Sequence, residues 1–348
     1  MSARLLGWYD AHARELPWRT AASASPPTSD AYAVWVSEVM LQQTRVETVK
    51  SYYARFLARF PTVLALAEAP LDDVLGAWSG LGYYRRARAL HAAAREVAAR
   101  HGGVMPRTYT TLGELPGVGA YTAGAIASIA FGERVPAVDG NVNRVLSRLY
   151  ACDEPLGSTK SVARLRPLAE ALVSASRPGD HNQALMELGA TVCIPRAPRC
   201  EVCPLADACE ARRAGRENEL PVVKKKAPSP VVKMTAALAR EPGAKKSSFA
   251  LGRRPPEGLF GGLWEPPMIE GRGKAAEKTL RSAGLEAGKR LGVVRHVLTH
   301  RVLEVAVVEA TASRSLSTIP PYEELAWGRP GPERGLSTLA KRILELAT

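Results

Sequence analysis

Between positions 193 and 209 the chain reads CIPRAPRCEVCPLADAC, four cysteines at the spacing C-x6-C-x2-C-x5-C. No other stretch restricts the fold so tightly. Only five cysteines occur, and the fifth, Cys152, lies apart, so the pattern is not a disulfide framework, and a reducing cytosol would keep the thiols free. Cys193, Cys200, Cys203 and Cys209 are read as a metal-binding set. A zinc ion accepts four tetrahedral thiolates, and a [4Fe–4S] cluster is also held by four cysteines. Zinc ribbons usually carry two separate C-x2-C pairs, whereas this run has one, which favours the cluster. Arg196, Arg199, Arg212 and Arg213 surround the loop and would suit a position near phosphates. Cys152 reads as a packed free thiol.

Around this loop the chain changes its pattern once. Apolar residues recur near helical spacing through 32–60 (Trp35, Val39, Val46, Val49, Tyr53, Phe56, Phe60), and helices are expected over 73–78, 85–100, 121–131, 142–150, 162–174 and 182–192. NELPVVKKKAPSPVV then reads as an exposed Lys- and Pro-rich linker. Beyond it VVKMTAALA, KSSFALG, LGVVRHVL and RVLEVAVVEA look like short strands, with helices at 275–283 and at the C-terminus. The expected organisation is an all-helical domain over 1–217, a linker over 218–230 and a smaller α+β domain over 231–348. A chain of 348 residues with 46% apolar content can fill two such cores. Its formal net charge of +13 points to a polyanionic partner, nucleic acid before membrane. No uncharged apolar run approaches the roughly 18 residues of a membrane span, and the opening MSARLLGWYDAHAREL lacks the apolar core of a secretion signal. A soluble intracellular monomer is expected.

Three stretches carry candidate chemistry. In ELPGVGAYTAGAIASIAFG, Gly117 and Gly119 permit positive φ and close approach of another chain, ahead of a helix beginning near Ala120. Successive amides there, with the helix dipole, would form a phosphate site; an ordinary tight turn is the alternative. In PAVDGNVNRVLSRLY, Asp139, Gly140 and Asn141 precede a helix with an apolar face, and Asp139 is either its N-cap or a functional carboxylate. In AYAVWVSEVMLQQT, Glu38 has partly apolar company, which should make it hold its proton more tightly than in water. Two carboxyls in unlike surroundings can divide labour as acid and charge stabiliser.

Taken in order, LPWR, SEVMLQQT, GLGYYRRARALH, LPGVGAYTAGAI, VDGNVNRVLSRL, NQALMELGA and the four-cysteine loop resemble the endonuclease III superfamily, and within it the MutY-type adenine DNA glycosylases. The resemblance runs from about Leu16 to Cys209. It implies a helix-hairpin-helix at LPGVG that binds the DNA backbone through main-chain amides, and a [4Fe–4S] cluster that orders a basic DNA-contacting loop. It implies Glu38 as the acid that protonates a flipped adenine and helps activate water. Asp139, with Asn141 beside it, would stabilise the positively charged sugar. Leu41, Gln42 and Gln43 match the segment that enters the duplex, and Tyr83 the aromatic wedge beside the lesion. Superfamily members that cut the strand carry a lysine where this chain has Tyr121, so base removal without efficient β-elimination is implied. The implied substrate is duplex DNA with A:8-oxoguanine or A:G mispairs, and the implied setting is the bacterial cytoplasm, on the nucleoid. The other readings are a pyrimidine-lesion glycosylase and lyase of the endonuclease III type, and a non-catalytic iron–sulfur DNA-binding protein.

GLFGGLWEPP, the strands and the C-terminal ELAWGRPGPERGLSTLAKRILELA resemble the Nudix-like domain of MutY proteins. The stretch AAEKTLRSAGLE offers only Glu277 and Glu286 in place of a Glu-rich metal helix, which argues against pyrophosphatase activity. In the family this domain recognises 8-oxoguanine through a Phe-Ser-His loop. Here Leu298, Thr299 and His300 stand at those positions, so the hydroxyl and the histidine are kept and the aromatic is not.

Overall fold

The computed structural model describes residues 1–19, 30–223, 228–244, 248–312, 315–331 and 334–347. Part of the expected linker (224–227) and two residues of KSSFALG (246–247) lie outside the described residues. The chain forms two compact units, one of Met1–Ala67 with Ala92–Lys226, the other of Glu68–His91 with Ala227–Thr348.

Its helices, in chain order, are α1 (Ser2–His12), α2 (Ala31–Leu41), α3 (Val46–Arg59), α4 (Val63–Glu68), α5 (Leu71–Ala77), α6 (Arg85–His101), α7 (Tyr109–Gly113), α8 (Ala120–Phe131), α9 (Gly140–Leu149), α10 (Thr159–Leu172), α11 (Pro178–Thr191) and α12 (Glu210–Arg213). The helical stretch read over 32–60 divides into α2 and α3. Helix α2 stops at Leu41, just ahead of the QQT segment: Gln42 leaves helical geometry at ψ 114°, and Gln43 enters the left-handed region at φ 57°.

Helix α8 is buried over 122–129 and rich in small residues, which lets α2, α7 and α11 pack closely around it. A Cβ at Gly124 would lie 2.2 Å from the Pro136 carbonyl oxygen, so only glycine lets the stretch before α9 pass there. Asn182 of α11 braces the same stretch: its Oδ1 accepts from Ala137 N at 3.1 Å, and its Nδ2 donates to Val135 O at 2.9 Å and to Ser128 Oγ at 2.8 Å. Val142, Val145, Leu146 and Leu149 of α9 bury against Leu185 and Leu188 of α11 and Leu5 and Tyr9 of α1. Each fully buried leucine contributes roughly 1.5–3 kcal/mol by leaving water.

The second unit is an α+β structure. Its strands are β1 (Val231–Ala239), β2 (Phe249–Arg253), β3 (Trp264–Glu265), β4 (Met268–Glu270), β5 (Leu285–Val297), β6 (Val302–Ala312) and β7 (Glu324–Gly328), with α13 (Lys274–Ser282) and α14 (Thr338–Leu344). One sheet has the order β4-β1-β6-β5, with β1 and β6 parallel; the other is β3-β2-β7. Leu339, Ala340 and Ile343 of α14 enter a core with Leu251, Val305 and Val307. Residues 68–91 pack into this unit: Tyr84 Oη donates to Leu336 O at 2.8 Å, Ser79 Oγ to the same oxygen at 2.9 Å, and Arg253 pairs with Asp72 at 3.0 Å. Local periodicity carries no trace of that allegiance. No helix among the described residues is long and apolar enough to cross a membrane.

Candidate active site and four-cysteine loop

Glu38 sits on the inner face of α2, only 5% exposed. The Tyr121 hydroxyl, from the first turn of α8, donates to its Oε2. Burial pushes the Glu38 carboxyl up to about 7; the Tyr121 hydrogen bond and Arg19 pull it down, and Asp139 pushes it further up. Burial likewise raises the Tyr121 phenol, helped by Glu38 and Asp139. Asp139, far away in sequence, therefore acts on both Glu38 and Tyr121, which are themselves hydrogen-bonded.

Asp139 is the N-cap of α9, its Oδ1 accepting from Val142 N at 2.7 Å. Its second oxygen accepts from Asn141 Nδ2 at 3.1 Å. Burial raises its carboxyl, while the hydrogen bonds from Val142 and Asn141 and the charge of Arg144 oppose the rise. Capping and charge are thus roles of one side chain: Oδ1 closes the helix and Oδ2 is steered by Asn141. Asn141 Oδ1 accepts from Arg144 at 2.8 Å, and Arg144 Nε donates to the Cys193 carbonyl at 2.8 Å. An unbroken hydrogen-bonded run thus leads from Asp139 to the first cysteine.

Sequence reading does not single out Arg19, Arg144 or Glu187. Glu187, buried on α11, pairs with Arg14 at 2.5 Å and with Arg19 at 2.8 Å, and so anchors an arginine that acts on Glu38. The LPWR motif ending at Arg19, the VDGNVNRVLSRL motif containing Arg144 and the NQALMELGA motif containing Glu187 are the signals that could have found them.

The glycine turn differs from expectation at one position. Gly117 has φ 73°, but Gly119 has φ −87° and ψ 176°, an extended conformation open to any residue. What Gly119 provides is openness, because a Cβ there would meet nothing within 4 Å, and α8 begins on it with no side-chain cap. Leu41 ends α2 half-buried, Gln42 Nε2 donates to Thr122 Oγ1 at 3.2 Å, and Gln43 is exposed.

In the second unit the tyrosine pair divides. Tyr84 is buried, whereas Tyr83 is 48% exposed at φ 49°, with its Oη 3.5 Å from Thr299 Oγ1. Thr299 and His300 form the exposed tip of the β5–β6 hairpin, closed by Leu298 N donating to Arg301 O at 2.9 Å. Leu298 packs against the core.

The four cysteines line one cavity together with Leu149, Leu188, Val192 and Leu205. Burial raises the thiols of Cys200, Cys203 (to about 11) and Cys209, and neighbouring cysteines add to each rise. Four ionised thiols here need a cationic group to hold them, and thiolate donors suit zinc or an iron–sulfur cluster. Among the described residues, no three His, Cys, Asp or Glu side chains gather closely enough to hold a single metal ion. Cys152 is buried and free, its Sγ 3.0 Å from Glu154 Oε2.

Residues 36–171 match the family described as HhH-GPD superfamily base excision DNA repair protein, and residues 237–346 match the NUDIX domain. The chain is 41% identical to the adenine DNA glycosylase of Homo sapiens, over 91% of its own length and 68% of that protein. It is 37% identical to the adenine DNA glycosylase of Mus musculus, over 99% of its length and 77% of that protein. Among solved structures it is similar to a thermostable thymine-DNA glycosylase, 29% identical with TM-score 0.54, covering 61% of this chain and 95% of that one. An endonuclease III–DNA complex, at 22% identity and TM-score 0.50, covers 62% of this chain and 94% of its own and shares the helical fold. With a buried Glu38 in the field of a half-buried Asp139 in a helix-hairpin-helix unit, and a Nudix unit after it, the chain belongs to the adenine DNA glycosylases, base excision repair enzymes that hydrolyse N-glycosyl bonds in DNA.

Proposed function

We propose that this glycosylase removes adenine paired with 8-oxoguanine or guanine in duplex DNA and leaves the strand uncut. The observation that carries the reading is Glu38, a buried carboxyl held at about 7 beside Tyr121 and within the field of Asp139. An acid poised near neutral pH is matched to protonating a leaving base. Glu38 delivers its proton to a ring nitrogen of the extruded adenine, the bond from the base to C1′ breaks, and the electron pair leaves with the neutral base. Asp139, steered by Asn141, faces the positive charge that develops on the sugar. Water then adds to C1′, and its proton passes to the Glu38 carboxylate. Tyr121 offers no amine, so no Schiff base holds the sugar for strand cleavage.

In this reading the amides around Gly117 and Gly119 grip phosphate, a contact that positions DNA without reading sequence. Leu41, Gln42 and Gln43 enter the duplex where the base has left, at an unstacking cost of a few kcal/mol, and Tyr83 wedges beside the lesion. Thr299 and His300, at a hairpin tip beside Tyr83, contact the 8-oxoguanine left behind. Cys193, Cys200, Cys203 and Cys209, which line one cavity together, hold a [4Fe–4S] cluster; their single C-x2-C pair favours it over a zinc ribbon. When bound, it orders a basic loop and takes no part in the reaction at the sugar. In a bacterial host the site of action is the nucleoid.

The deciding assay measures base release from A:8-oxoguanine, A:G and A:T duplexes with and without alkali. Breaks that appear only after alkali, fastest for A:8-oxoguanine, are expected. Borohydride trapping of a covalent adduct would instead favour an endonuclease III-type lyase.

A further inference from the structure

The hydrogen bonds around the cysteine loop converge on a residue of the VDGNVNRVLSRL motif to which the proposed chemistry gives no role. Arg148, near the end of α9, is 2% exposed and among the largest fully buried side chains. Its guanidinium donates through Nε to Leu220 O at 2.8 Å, through one terminal nitrogen to Ile194 O at 2.7 Å and Cys193 Sγ at 3.3 Å, and through the other to Pro195 O at 3.1 Å. Its own carbonyl lies 3.4 Å from Cys209 Sγ. One residue thus touches the first and last cysteines and the chain just beyond the loop.

No carboxylate among the described residues forms an ion pair with Arg148; its partners are three neutral carbonyls and one sulfur. A buried cation without a counter-charge is strongly disfavoured, and arginine is retained in such places where its planar fork meets a fixed set of acceptors. Glu217 lines the same cavity, but the thiol on which it acts is Cys200. The group that the guanidinium touches and that can carry negative charge is Cys193 Sγ, which is a thiolate when it binds a metal group. We propose that Arg148 is the positioning residue of the four-cysteine site: it supplies the buried positive charge opposite Cys193 and clamps the loop to α9 and to Leu220. This inference rests on the reading of the loop as a cluster-binding site.

The fork explains why the loop closes where it does. Ile194 and Pro195 follow directly after Cys193, and among the described residues Arg148 is the side chain that satisfies both of their carbonyls. Groups that orient metal ligands typically change metal retention 10–100-fold when removed. A residue that only fills volume would be replaced well by methionine. A residue that supplies charge and a fork would not, and lysine, keeping the charge without the fork, would fall between.

The test uses the full chain purified without oxygen, as wild type, Arg148→Met and Arg148→Lys. Iron and sulfide per chain are measured, followed by the rate at which visible absorbance disappears on exposure to EDTA in air. The expected order of loss is Arg148→Met fastest, at least tenfold above wild type, with Arg148→Lys between. Loss from Arg148→Met at the wild-type rate overturns the proposal. If the methionine variant does not fold, Arg148→Lys decides: release several-fold faster than wild type supports the clamp, and wild-type release overturns it. Stoichiometric zinc and no iron in the wild type would sink the cluster reading instead. The same ordering is then sought in zinc release to EDTA, where equal rates overturn the Arg148 assignment.

Discussion

The Tyr121 hydroxyl donates to Glu38 Oε2 across 83 positions of sequence, in a setting where burial has already raised the carboxyl to about 7. The phenol favours the ionised acid while burial and Asp139 favour the protonated one, and burial prevails. An acid that is half protonated near neutral pH is the result.

Base release should therefore fall as pH rises through about 7, approaching tenfold per unit beyond it, because only protonated Glu38 can give its proton. Tyr121→Phe removes a group that lowers the Glu38 value, so the falling limb should move to higher pH. Single-turnover rates between about pH 5 and 9 test both. A limb that stays in place in Tyr121→Phe would separate the phenol from the acid.

The same carboxyl should make the fold sensitive to pH. Its value is higher folded than unfolded, so the folded state binds more protons between about 4.5 and 7, and stability is lost as pH rises through that window. Glu38→Gln does not titrate. At about pH 8 it should be more stable than wild type by about 2–4 kcal/mol, with the two converging near about pH 4. Urea unfolding at the two pH values measures the difference. Equal stabilities at the higher pH would mean that the carboxyl is not held in an apolar setting.

Gly124→Ala should damage both stability and activity. The new methyl would meet the Pro136 carbonyl at 2.2 Å, and that backbone leads directly to Asp139. Overpacking of this kind costs about 1–3 kcal/mol. Thermal unfolding should register the loss, and base release should drop further than stability alone requires. Gly119→Ala, with open space around its Cβ and an ordinary φ, should leave stability within about 0.5 kcal/mol.

At the hairpin tip, Thr299→Val keeps the shape and removes the hydroxyl 3.5 Å from Tyr83. The preference for A:8-oxoguanine over A:G should fall severalfold, with base release from A:G little changed. Comparing kcat/KM on the two duplexes reads it directly. An unchanged ratio would remove Thr299 from lesion reading.

Purified protein should be brown, with about four irons per chain and broad visible absorption. Removing the metal should loosen the loop that Arg148 and Arg144 tie to α9. Far-UV circular dichroism should change little, while protection of the 193–213 amides from hydrogen exchange should fall.

Much of this was legible along the chain, because the signals are local. Strand β1 coincides with VVKMTAALA, and α8, α9, α13 and α14 lie within a residue or two of where apolar periodicity and turn residues put them or in the segment so read. The four-cysteine loop needs only its spacing to be seen. A glutamate at 38 and an aspartate at 139 can be named from motifs, since a motif is a short pattern of residue types. Tertiary structure alone decided the rest. It split Tyr83 from its buried neighbour Tyr84, joined residues 68–91 to the C-terminal unit, gave the positive φ to Gly117 and not Gly119, and set Arg19, Arg144 and Arg148 against groups far away in sequence. The reason is physical: a periodicity records which face of an element is apolar, whereas a carboxyl's proton affinity and an arginine's counter-charge are summed over whatever other segments bring within a few ångströms.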